Sequence, residues 1–408
     1  MNDLPVGPSV PPPAFRLPVK RRAAIIVLDG LGIGSTPDQS AYGDDGSDTL
    51  GNVARATPGL TLPNLTRLGL WNCRPIPGLV ASANPTAAHG IAHPKSPGKD
   101  STTGHWELCG VVLPVPFPTF PEGFPAKVIT EFSRRTGRGV LANKAASGTE
   151  VIEEFGAAHL RGGDWIVYTS ADSVFQVAAH ESVVSIAELY AACAVARSIL
   201  TGPTGVSRVI ARPFTGSPGA WRRLSERRKD LSLAPVSSTL LDVCERAHVP
   251  RVGVGKVDDL FAGRGITSIH TATNGDAYTM IEGALASMRR GLLLANVIEF
   301  DQSWGHRNDV PGFVRGLTEL DIALPRILRK VQPADLIIFT ADHGNDPTTP
   351  STDHSREAVP VLVVGPSVRP VPLGERATFA DIGQTVAEFL GLDPLPAGTS
   401  FLDEVWLG

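Results

Sequence analysis

Residues 335–344 read DLIIFTADHG, a continuous apolar run that ends in Asp342 and His343. Two further stretches have the same form: AAIIVLDG (23–30) ends shortly after Asp29, and LANVIEFD (294–301) ends in Asp301. Continuous rather than alternating apolarity is typical of strands that are covered on both faces, as in parallel α/β sheets. The sequence therefore predicts three buried strands, each closed by an acidic residue.

Further apolar runs extend this pattern along the chain: DWIVYTSADS (164–173), VSRVIARPF (206–214), RVGVGK (251–256) and VPVLVVG (359–365). Helical patterns fall between the runs. In PGFVRGLTELDIALPRILRKV (311–331) the apolar residues recur at helical spacing, and Pro325 predicts a kink or a break. This alternation of strand and helix predicts an α/β fold with a doubly wound core.

The middle of the chain has a different pattern. From the Pro-rich stretch LPVPFPTFPEGFP (113–125) to WRRLSERRKDLSLAP (221–235), short helices and strands alternate between two turn-rich boundaries. Such an organisation is typical of a domain inserted into a core. We predict an inserted α+β cap domain at 116–233, between core segments at 21–115 and 234–408. Residues 1–20 lack the apolar segment of a signal peptide, and we expect a disordered Pro-rich tail there.

Composition excludes several classes of function. The 408 residues include 37 Lys and Arg against 41 Asp and Glu, so the net charge of −4 lacks the basic excess that nucleic-acid binding needs. No stretch approaches the roughly 20 apolar residues of a membrane span. The four cysteines are far apart and form no CxxC pair, so we expect neither disulfides nor a thiolate zinc site. A cytoplasmic location is the corresponding prediction.

The acidic residues at the strand ends are the candidate metal ligands. Ligands bind at the carboxyl ends of strands in open α/β sheets, so we expect Asp29, Asp301 and Asp342 to converge. Either of the first two, taken alone, is equally well explained as a helix cap. Three of the ten histidines follow these positions, and together the six side chains suffice for two metal ions: Asp29, Asp301, His306, Asp342, His343 and His354. Mixed carboxylate and imidazole ligands suit Mn(II) or Zn(II), and paired metal ions are typical of phosphoryl transfer.

The segment GKDSTTGHWELCG (98–110) supplies a candidate nucleophile. Ser101, Thr102 and Thr103 precede a predicted helix, and the amides at a helix N-terminus favour a bound phosphate. The alternative is that Ser101 only caps this helix. The pattern SxxG, where a capping box has SxxE, makes that alternative weaker without excluding it.

Long motifs in the core and in the predicted cap resemble the phosphopentomutases of the alkaline phosphatase superfamily. Beside GKDSTTGHWELCG and RVIARPF (208–214), they are DGLGIGSTPD (29–38), GDDGSDTLGN (43–52), FPEGFP (120–125), NKAASGTE (143–150), YTSADSVFQVAAHE (168–181), FDQSWGHRND (300–309), TADHGNDPTTPSTDHSRE (340–357) and FADIGQTVAEFLGLDPLPAGTSF (379–401). The resemblance covers residues 21–408. It implies an alkaline-phosphatase-like core with an inserted cap.

The resemblance also implies the reaction, an isomerisation of ribose 1-phosphate and ribose 5-phosphate, and of the 2-deoxyribose pair, in nucleoside salvage. A bisphosphorylated sugar such as glucose 1,6-bisphosphate would prime the enzyme, and its partners would be small sugar phosphates. One Mn ion would be held by Asp29, Asp342 and His343, and a second by Asp301, His306 and His354. The family's phosphorylated threonine directly follows Lys-Asp; Ser101 stands at that position here, with Thr102 as the alternative acceptor.

Four side chains are candidate substrate contacts between core and cap. Asp172 would accept hydrogen bonds from the sugar hydroxyls. Arg208, Arg212 and Lys256 would hold the distal phosphate, although buried arginine and aspartate also pair for purely structural reasons. The basic loop of Arg222, Arg223, Arg227 and Arg228 is interpreted as a solvated face.

Two other functions fit part of the pattern. Another metal-dependent member of the superfamily, a phosphatase or a cofactor-independent phosphoglycerate mutase, would share the metal ligands and the nucleophile and differ in the cap. The cap motifs YTSADSVFQVAAHE and NKAASGTE favour the pentose mutase. A catalytically dead sugar-phosphate sensor is disfavoured, because all six ligands and a hydroxyl are present.

Overall fold

The computed structural model describes residues 20–170 and 172–408. The predicted tail at 1–20 lies outside the described residues, apart from Lys20. In chain order the strands of this part are β1 (Arg22–Leu28), β2 (Ala88–Ala92), β3 (Val140–Ala145), β4 (Trp165–Thr169), β5 (Val174–His180), β6 (Arg208–Thr215), β7 (Arg222–Arg223), β8 (Lys229–Ser232), β9 (Arg251–Val254), β10 (Ser268–Ile269), β11 (Gly291–Val297), β12 (Asp335–Thr340), β13 (Val359–Val364) and β14 (Pro372–Arg376). The α-helices are α1 (Thr49–Ala56), α2 (Pro63–Leu68), α3 (Leu70–Cys73), α4 (Ser101–Leu108), α5 (Ala126–Thr136), α6 (Gly148–Gly162), α7 (Ile186–Ile199), α8 (Leu240–Arg246), α9 (Val257–Leu260), α10 (Asn274–Ser287), α11 (Val310–Leu328), α12 (Ala380–Phe389) and α13 (Leu402–Val405).

The main sheet has the strand order β10-β9-β11-β1-β12-β13-β2-β14. Strand β1 pairs in parallel with β11 on one side and with β12 on the other. Every residue of these three strands is buried, and because side chains alternate across a strand, both faces of the sheet are covered. The predicted doubly wound α/β core is confirmed.

One strand departs from the parallel arrangement. Strand β13 runs antiparallel to both of its neighbours, β12 and β2. Its sequence, VPVLVV, is as continuously apolar as that of the parallel strands. Continuous apolarity indicates that both faces of a strand are buried, but it carries no information on strand direction. The prediction of a parallel sheet therefore fails at β13, and the sheet is mixed.

The three central strands bring their carboxyl ends to one edge of the sheet. Asp29 directly follows β1, and Asp342 follows β12 by two residues. The expectation that Asp301 closes a strand is wrong, because β11 ends at Val297 and Asp301 lies in the π-helical turn Phe300–Trp304. The apolar Phe300 that seemed to prolong the strand packs against Trp304 and Phe313 instead. The edge location of Asp301 nevertheless remains as expected.

Helix α11 continues through Pro325, where a kink or a break was predicted. A proline in a helix leaves the carbonyl four residues earlier without its usual N–H donor. That carbonyl belongs to Asp321, and it accepts a hydrogen bond of 2.9 Å from Nδ2 of Asn64. The Asp321 carboxylate also accepts from the amides of Asn64 and Leu65 at the start of α2. A tertiary contact thus compensates for the missing donor.

A second sheet lies between α4 and α8 in the chain. Its order is β3-β4-β5-β6-β7, with β8 also paired to β6. Parallel and antiparallel pairs alternate in it. Helices α5 and α7 pack with it around a core that includes Phe132, Trp165 and Phe175, whereas α6 packs with it in a second cluster. This mixed sheet is the predicted inserted domain.

The chain leaves and re-enters the main-sheet part at adjacent points. The amide of Leu240, the first residue of α8, donates to the carbonyl of Cys109, which follows α4 (2.9 Å). Such close crossings allow an inserted domain to fold as a unit. The boundaries at 116 and 233 stay predictions.

Two further observations concern the cysteines and the lengths of the helices. The four cysteines are free thiols, in agreement with the expected lack of disulfides. Across the described ranges, no helix has both the length and the apolar character that crossing a bilayer requires.

Candidate active site

Carboxylates and imidazoles at the carboxyl edge of the main sheet form one cluster. Asp29, Asp342 and His343 offer ligand atoms that all lie within 4.8 Å of one another, and so do Asp301, His343 and His354. His343 belongs to both groups. The structure therefore places two sets of three candidate ligands side by side.

His306 adjoins the second of these groups. Its Nε2 lies 3.2 Å from Nε2 of His354 and 3.4 Å from Oδ2 of Asp301. The rings of His306 and His354 are 4.8 Å apart, and those of His343 and His354 are 4.1 Å apart. All six residues singled out in the sequence are thus brought together, with His306 at the more exposed end.

The orientation of two imidazoles suits metal binding. Nδ1 of His343 donates to the carbonyl of Gly344 (3.0 Å), and Nδ1 of His306 donates to that of Thr352 (2.7 Å). A carbonyl can only accept, so the proton is held at Nδ1 and Nε2 faces the cluster. A backbone partner on the remote nitrogen is typical of metal-ligating histidine.

The carboxylates and imidazoles of the cluster shift one another's pKa values. Burial alone would raise the pKa of Asp301, but the charge and hydrogen bonds of His354 and His306 outweigh burial and hold that pKa well below its ordinary range. Burial alone would lower the pKa of His343, but Asp342 and Asp29 hold it well above its ordinary value. The carboxylates thus favour positive charge on His343, which is the role that bound cations would take over.

One oxygen in the cluster supports a metal site directly. Oδ2 of Asp342 is buried and accepts no hydrogen bond from the described residues. Nδ1 of His105 lies 3.1 Å from this oxygen but is directed at the carbonyl of Ser101 (2.9 Å). A buried carboxylate oxygen without a donor is costly unless a cation satisfies it. The residues present therefore fit divalent metal ions.

Ser101 lies beside this cluster as the first residue of α4. Its Oγ is 3.1 Å from Nε2 of His343 and 3.5 Å from Oδ1 of Asp29. The N-cap of α4 is Asp100, whose side chain accepts from the amide of Thr103, so the interpretation of Ser101 as a cap is wrong. Ser101 is half-buried, whereas Thr102 is fully buried. The accessible hydroxyl at the cluster is that of Ser101.

Two cavities lie between the main-sheet part and the inserted domain, and the smaller one reaches His354 of the cluster. A cavity of about 140 Å³ is lined by Lys99, Asp172, Arg208 and His354, among others. A cavity of about 570 Å³ is lined by residues of both parts, including Arg208, Lys256, Arg228, Lys229, His270 and Gln302. Arg208 borders both. Three of the four predicted substrate contacts, Asp172, Arg208 and Lys256, therefore face these cavities.

The structure does not bring Arg212 to either cavity. Arg212 lies four residues after Arg208 on β6, about 13 Å along an extended strand, and its Nε donates to Oε1 of Gln176. Asp172 and Arg208 also approach each other, with Oδ2 and Nη2 3.7 Å apart. In this structure Arg208 lines both cavities and Arg212 lines neither.

The sequence pattern did not identify several residues of the site. Arg228, assigned to a solvated loop, lines the larger cavity and forms a bidentate pair with Asp230, with both distances 2.6 Å. His105 lies one helical turn after Ser101, and this i, i+4 spacing was a usable signal. Asn345 and Glu357, which lie beneath the cluster, gave no signal apart from their position inside a long motif.

The profile of the Metalloenzyme superfamily matches residues 21–394. A protein from Dictyoglomus thermophilum, named phosphopentomutase, is 52% identical over 387 residues, which cover 94% of this chain and 98% of that protein. A phosphopentomutase from Anaeromyxobacter sp. strain K is 53% identical over 389 residues, covering 95% of this chain and 100% of the relative. One from Caldanaerobacter subterraneus subsp. tengcongensis is 49% identical over 387 residues, covering 94% and 98%.

Proposed function

The chain belongs to the phosphopentomutases of the Metalloenzyme superfamily, and we propose that it works through a phosphorylated Ser101 and two divalent metal ions. It is an enzyme, an isomerase of the intramolecular phosphotransferase type. The proposed substrates are ribose 1-phosphate and ribose 5-phosphate, together with the corresponding 2-deoxyribose phosphates.

The hydroxyl of Ser101 is the observation that carries this proposal. It lies 3.1 Å from Nε2 of His343, beside the cluster of candidate ligands, and Ser101 directly follows Asp100, which lines the smaller cavity. The hydroxyl of an N-cap serine accepts a hydrogen bond from a backbone amide in the first turn of the helix. The hydroxyl of Ser101 is directed at the cluster instead. Serine differs from threonine by one methyl group and retains the nucleophilic oxygen.

The proposed reaction consists of two phosphoryl transfers. In the first, the bond between phosphorus and Oγ of phosphorylated Ser101 breaks, a free hydroxyl oxygen of the sugar monophosphate bonds to phosphorus, and the hydroxyl proton passes to the released Oγ. The sugar becomes a 1,5-bisphosphate. In the second, Oγ of Ser101 attacks the other phosphate, and the sugar oxygen released there regains a proton. A bisphosphorylated sugar such as glucose 1,6-bisphosphate would supply the first phosphoryl group.

The candidate metal ligands would hold two Mn²⁺ ions, Asp29, Asp342 and His343 on one side and Asp301, His306 and His354 on the other. When bound, such ions neutralise negative charge on the phosphoryl oxygens. The carboxylate and imidazole donors, with the unsatisfied Oδ2 of Asp342, support this assignment.

Binding of the sugar phosphate is proposed for the two cavities. The larger one has four cationic side chains, Arg208, Arg228, Lys229 and Lys256, against the carboxylates of Asp230 and Asp259, and this excess suits a phosphate. Asp172 would accept hydrogen bonds from the ribose hydroxyls. Closure of the inserted domain over the cavity would exclude water, which would otherwise hydrolyse the phosphoenzyme.

The setting of the enzyme is part of the same proposal. We place it in the cytoplasm and in nucleoside salvage, acting on small molecules. The four free thiols are consistent with a reducing compartment.

The direct test is conversion of ribose 1-phosphate to ribose 5-phosphate by Mn²⁺-loaded protein primed with glucose 1,6-bisphosphate. Ser101→Ala is compared with Ser133→Ala, a matched control in which a half-buried helical serine of the inserted domain is truncated. We expect conversion by the parent and by Ser133→Ala, and none by Ser101→Ala, because only Ser101 accepts the phosphoryl group.

Two results would overturn the proposal. Release of free phosphate in place of conversion would identify a phosphatase. Conversion that survives in Ser101→Ala would assign the acceptor to another hydroxyl, with Thr102 the next candidate.

A further inference from the structure

Glu357 is buried where three ligand-bearing segments meet. Its side chain is 1% exposed and accepts four hydrogen bonds, all from uncharged donors. Oε2 accepts from the amides of Gly34 (3.1 Å) and Thr49 (2.9 Å), and Oε1 accepts from the hydroxyls of Thr49 and Ser355 (both 2.7 Å). Gly34 lies in the loop after Asp29, and Ser355 follows His354. One carboxylate thus joins these segments to the start of α1.

Two glycines make room for this carboxylate. A Cβ at Gly32 would lie 2.2 Å from Oε2 of Glu357, and a Cβ at Gly344 would lie 2.4 Å from Oε1. Both distances are far below van der Waals contact. Gly32 lies three residues after Asp29, and Gly344 directly follows His343. Glu357 is therefore wedged between the loops that carry the first group of ligands.

Asn345 continues the network to the second group of ligands. Its backbone amide donates to Oγ1 of Thr49 (3.2 Å) and to the carbonyl of Gly30 (3.0 Å). Its Nδ2 donates to Oδ1 of Asp301 at 2.7 Å. Asn345 is fully buried, and a Cβ at Gly305 would lie 2.5 Å from its Cγ. The close packing leaves the carboxamide little freedom, so it fixes the carboxylate of Asp301.

We propose that Glu357, Thr49 and Asn345 form a positioning relay that orients Asp301 for its metal ion and holds the ligand loops in register. The inference rests on the proposed metal ligation. Partners that orient a metal ligand typically contribute about 10- to 100-fold to metal affinity. The relay contributes through geometry, because none of its members belongs to the six candidate ligands.

Thr49 allows a closely matched test. Its hydroxyl donates to Glu357 and accepts from Asn345, and it is fully buried. Thr385 is also fully buried, and its hydroxyl donates to the carbonyl of Asp381 (2.7 Å) and accepts from the amide of Phe401 (3.0 Å), outside the cluster. Thr49→Val and Thr385→Val thus remove equivalent hydroxyls and should lower the unfolding temperature by similar amounts.

The readout is Mn²⁺ binding to the metal-free protein, measured from the electron paramagnetic resonance signal of free Mn²⁺. We expect Thr49→Val to lower the affinity for one of the two Mn²⁺ ions by about 10- to 100-fold. Thr385→Val should leave both affinities at the parent value. Thr49→Ser retains the hydroxyl and should restore the affinity. Parent-like binding by Thr49→Val, or equal losses in both valine variants, would overturn the relay.

Two further variants keep the outcome decisive. Asn345→Ala releases Asp301 without altering Thr49, and it replaces Thr49→Val as the test if that variant does not fold. We expect it to weaken binding of the same ion, and Mn²⁺ affinities equal to those of the parent would also overturn the relay. Asp301→Ala tests the underlying ligation, because it should remove one equivalent of bound Mn²⁺. If Asp301→Ala still binds two Mn²⁺ ions tightly, the ligand assignment itself is refuted. If Asp301→Ala loses one ion while Thr49→Val binds both with the parent's affinities, only the relay is refuted.

Discussion

The close packing of helix α4 on Asp342 predicts a large effect of the substitution Gly104→Ala. Gly104 lies three residues after Ser101 and is buried. A Cβ at this position would be 2.2 Å from the backbone oxygen of Asp342 and 2.8 Å from its carbonyl carbon. The missing side chain is what allows the helix with the proposed nucleophile to rest on the strand end with the candidate metal ligands.

The size of the disturbance follows from these distances. Real Cβ contacts under 3.0 Å are essentially never seen, so the helix and Asp342 must separate by at least 3.0 − 2.2 = 0.8 Å. Forcing an additional methyl group into a packed core costs about 1–3 kcal/mol. A displacement of about 1 Å between reacting groups costs about 100-fold in rate. We expect both losses in Gly104→Ala.

A matched control separates helix propensity from crowding. Gly283 lies in the interior of helix α10 on an exposed face, where an added Cβ would have no heavy atom within 4 Å. Gly283→Ala should therefore stabilise the protein by about 1 kcal/mol and leave kcat/KM unchanged. Chemical denaturation gives the free energy of unfolding, and conversion of ribose 1-phosphate gives kcat/KM. A Gly104→Ala variant with the parent's stability and kcat/KM would refute the reasoning.

Three further predictions concern the nucleophile, a buried histidine and the metal ions. Ser101→Thr retains the hydroxyl, and since a strained rotamer costs about 1 kcal/mol, kcat/KM should stay within about 10-fold of the parent; loss as complete as in Ser101→Ala would contradict this. Burial lowers the pKa of His159 below 6.5, so its contribution to stability is complete above that pH and is lost as the pH falls below it. Urea denaturation at about pH 7.5 and at about pH 5 should show that the free energy of unfolding falls less on acidification in His159→Gln than in the parent. Equal falls in the two proteins would exclude His159 as the cause. Mn²⁺ at 100 times the dissociation constant of a site should raise the free energy of unfolding by about 2.7 kcal/mol. A chelator should therefore lower the unfolding temperature of the Mn²⁺-loaded protein. An unchanged unfolding temperature would contradict a metal site that forms only in the folded state.

The sequence by itself identified seven of the fourteen strands that the structure describes and most residues of the candidate site. Asp29, Asp342 and His343 stand directly after long apolar runs, and such runs fold locally into buried strands whose carboxyl ends meet at one edge of the sheet. The segment around Ser101 was recognisable as a hydroxyl at the start of a helix. These features depend on neighbours within a few residues, which is why local patterns could predict them.

The tertiary structure decided what depends on distant partners. The direction of β13, the π-helical turn around Asp301 and the continuation of α11 through Pro325 are set by packing against other elements. Arg228 reaches a cavity because β8 pairs with β6, and Arg212 misses it because of its position along β6.

The proposed relay beneath the candidate metal ligands is the clearest case. Glu357 meets Thr49 from 308 residues away, and Asn345 meets Asp301 across 44 residues. Hydrogen bonds and close contacts act over about 3 Å, so which residues share them depends on how the whole chain brings its segments together and not on the spacing of residues in the sequence.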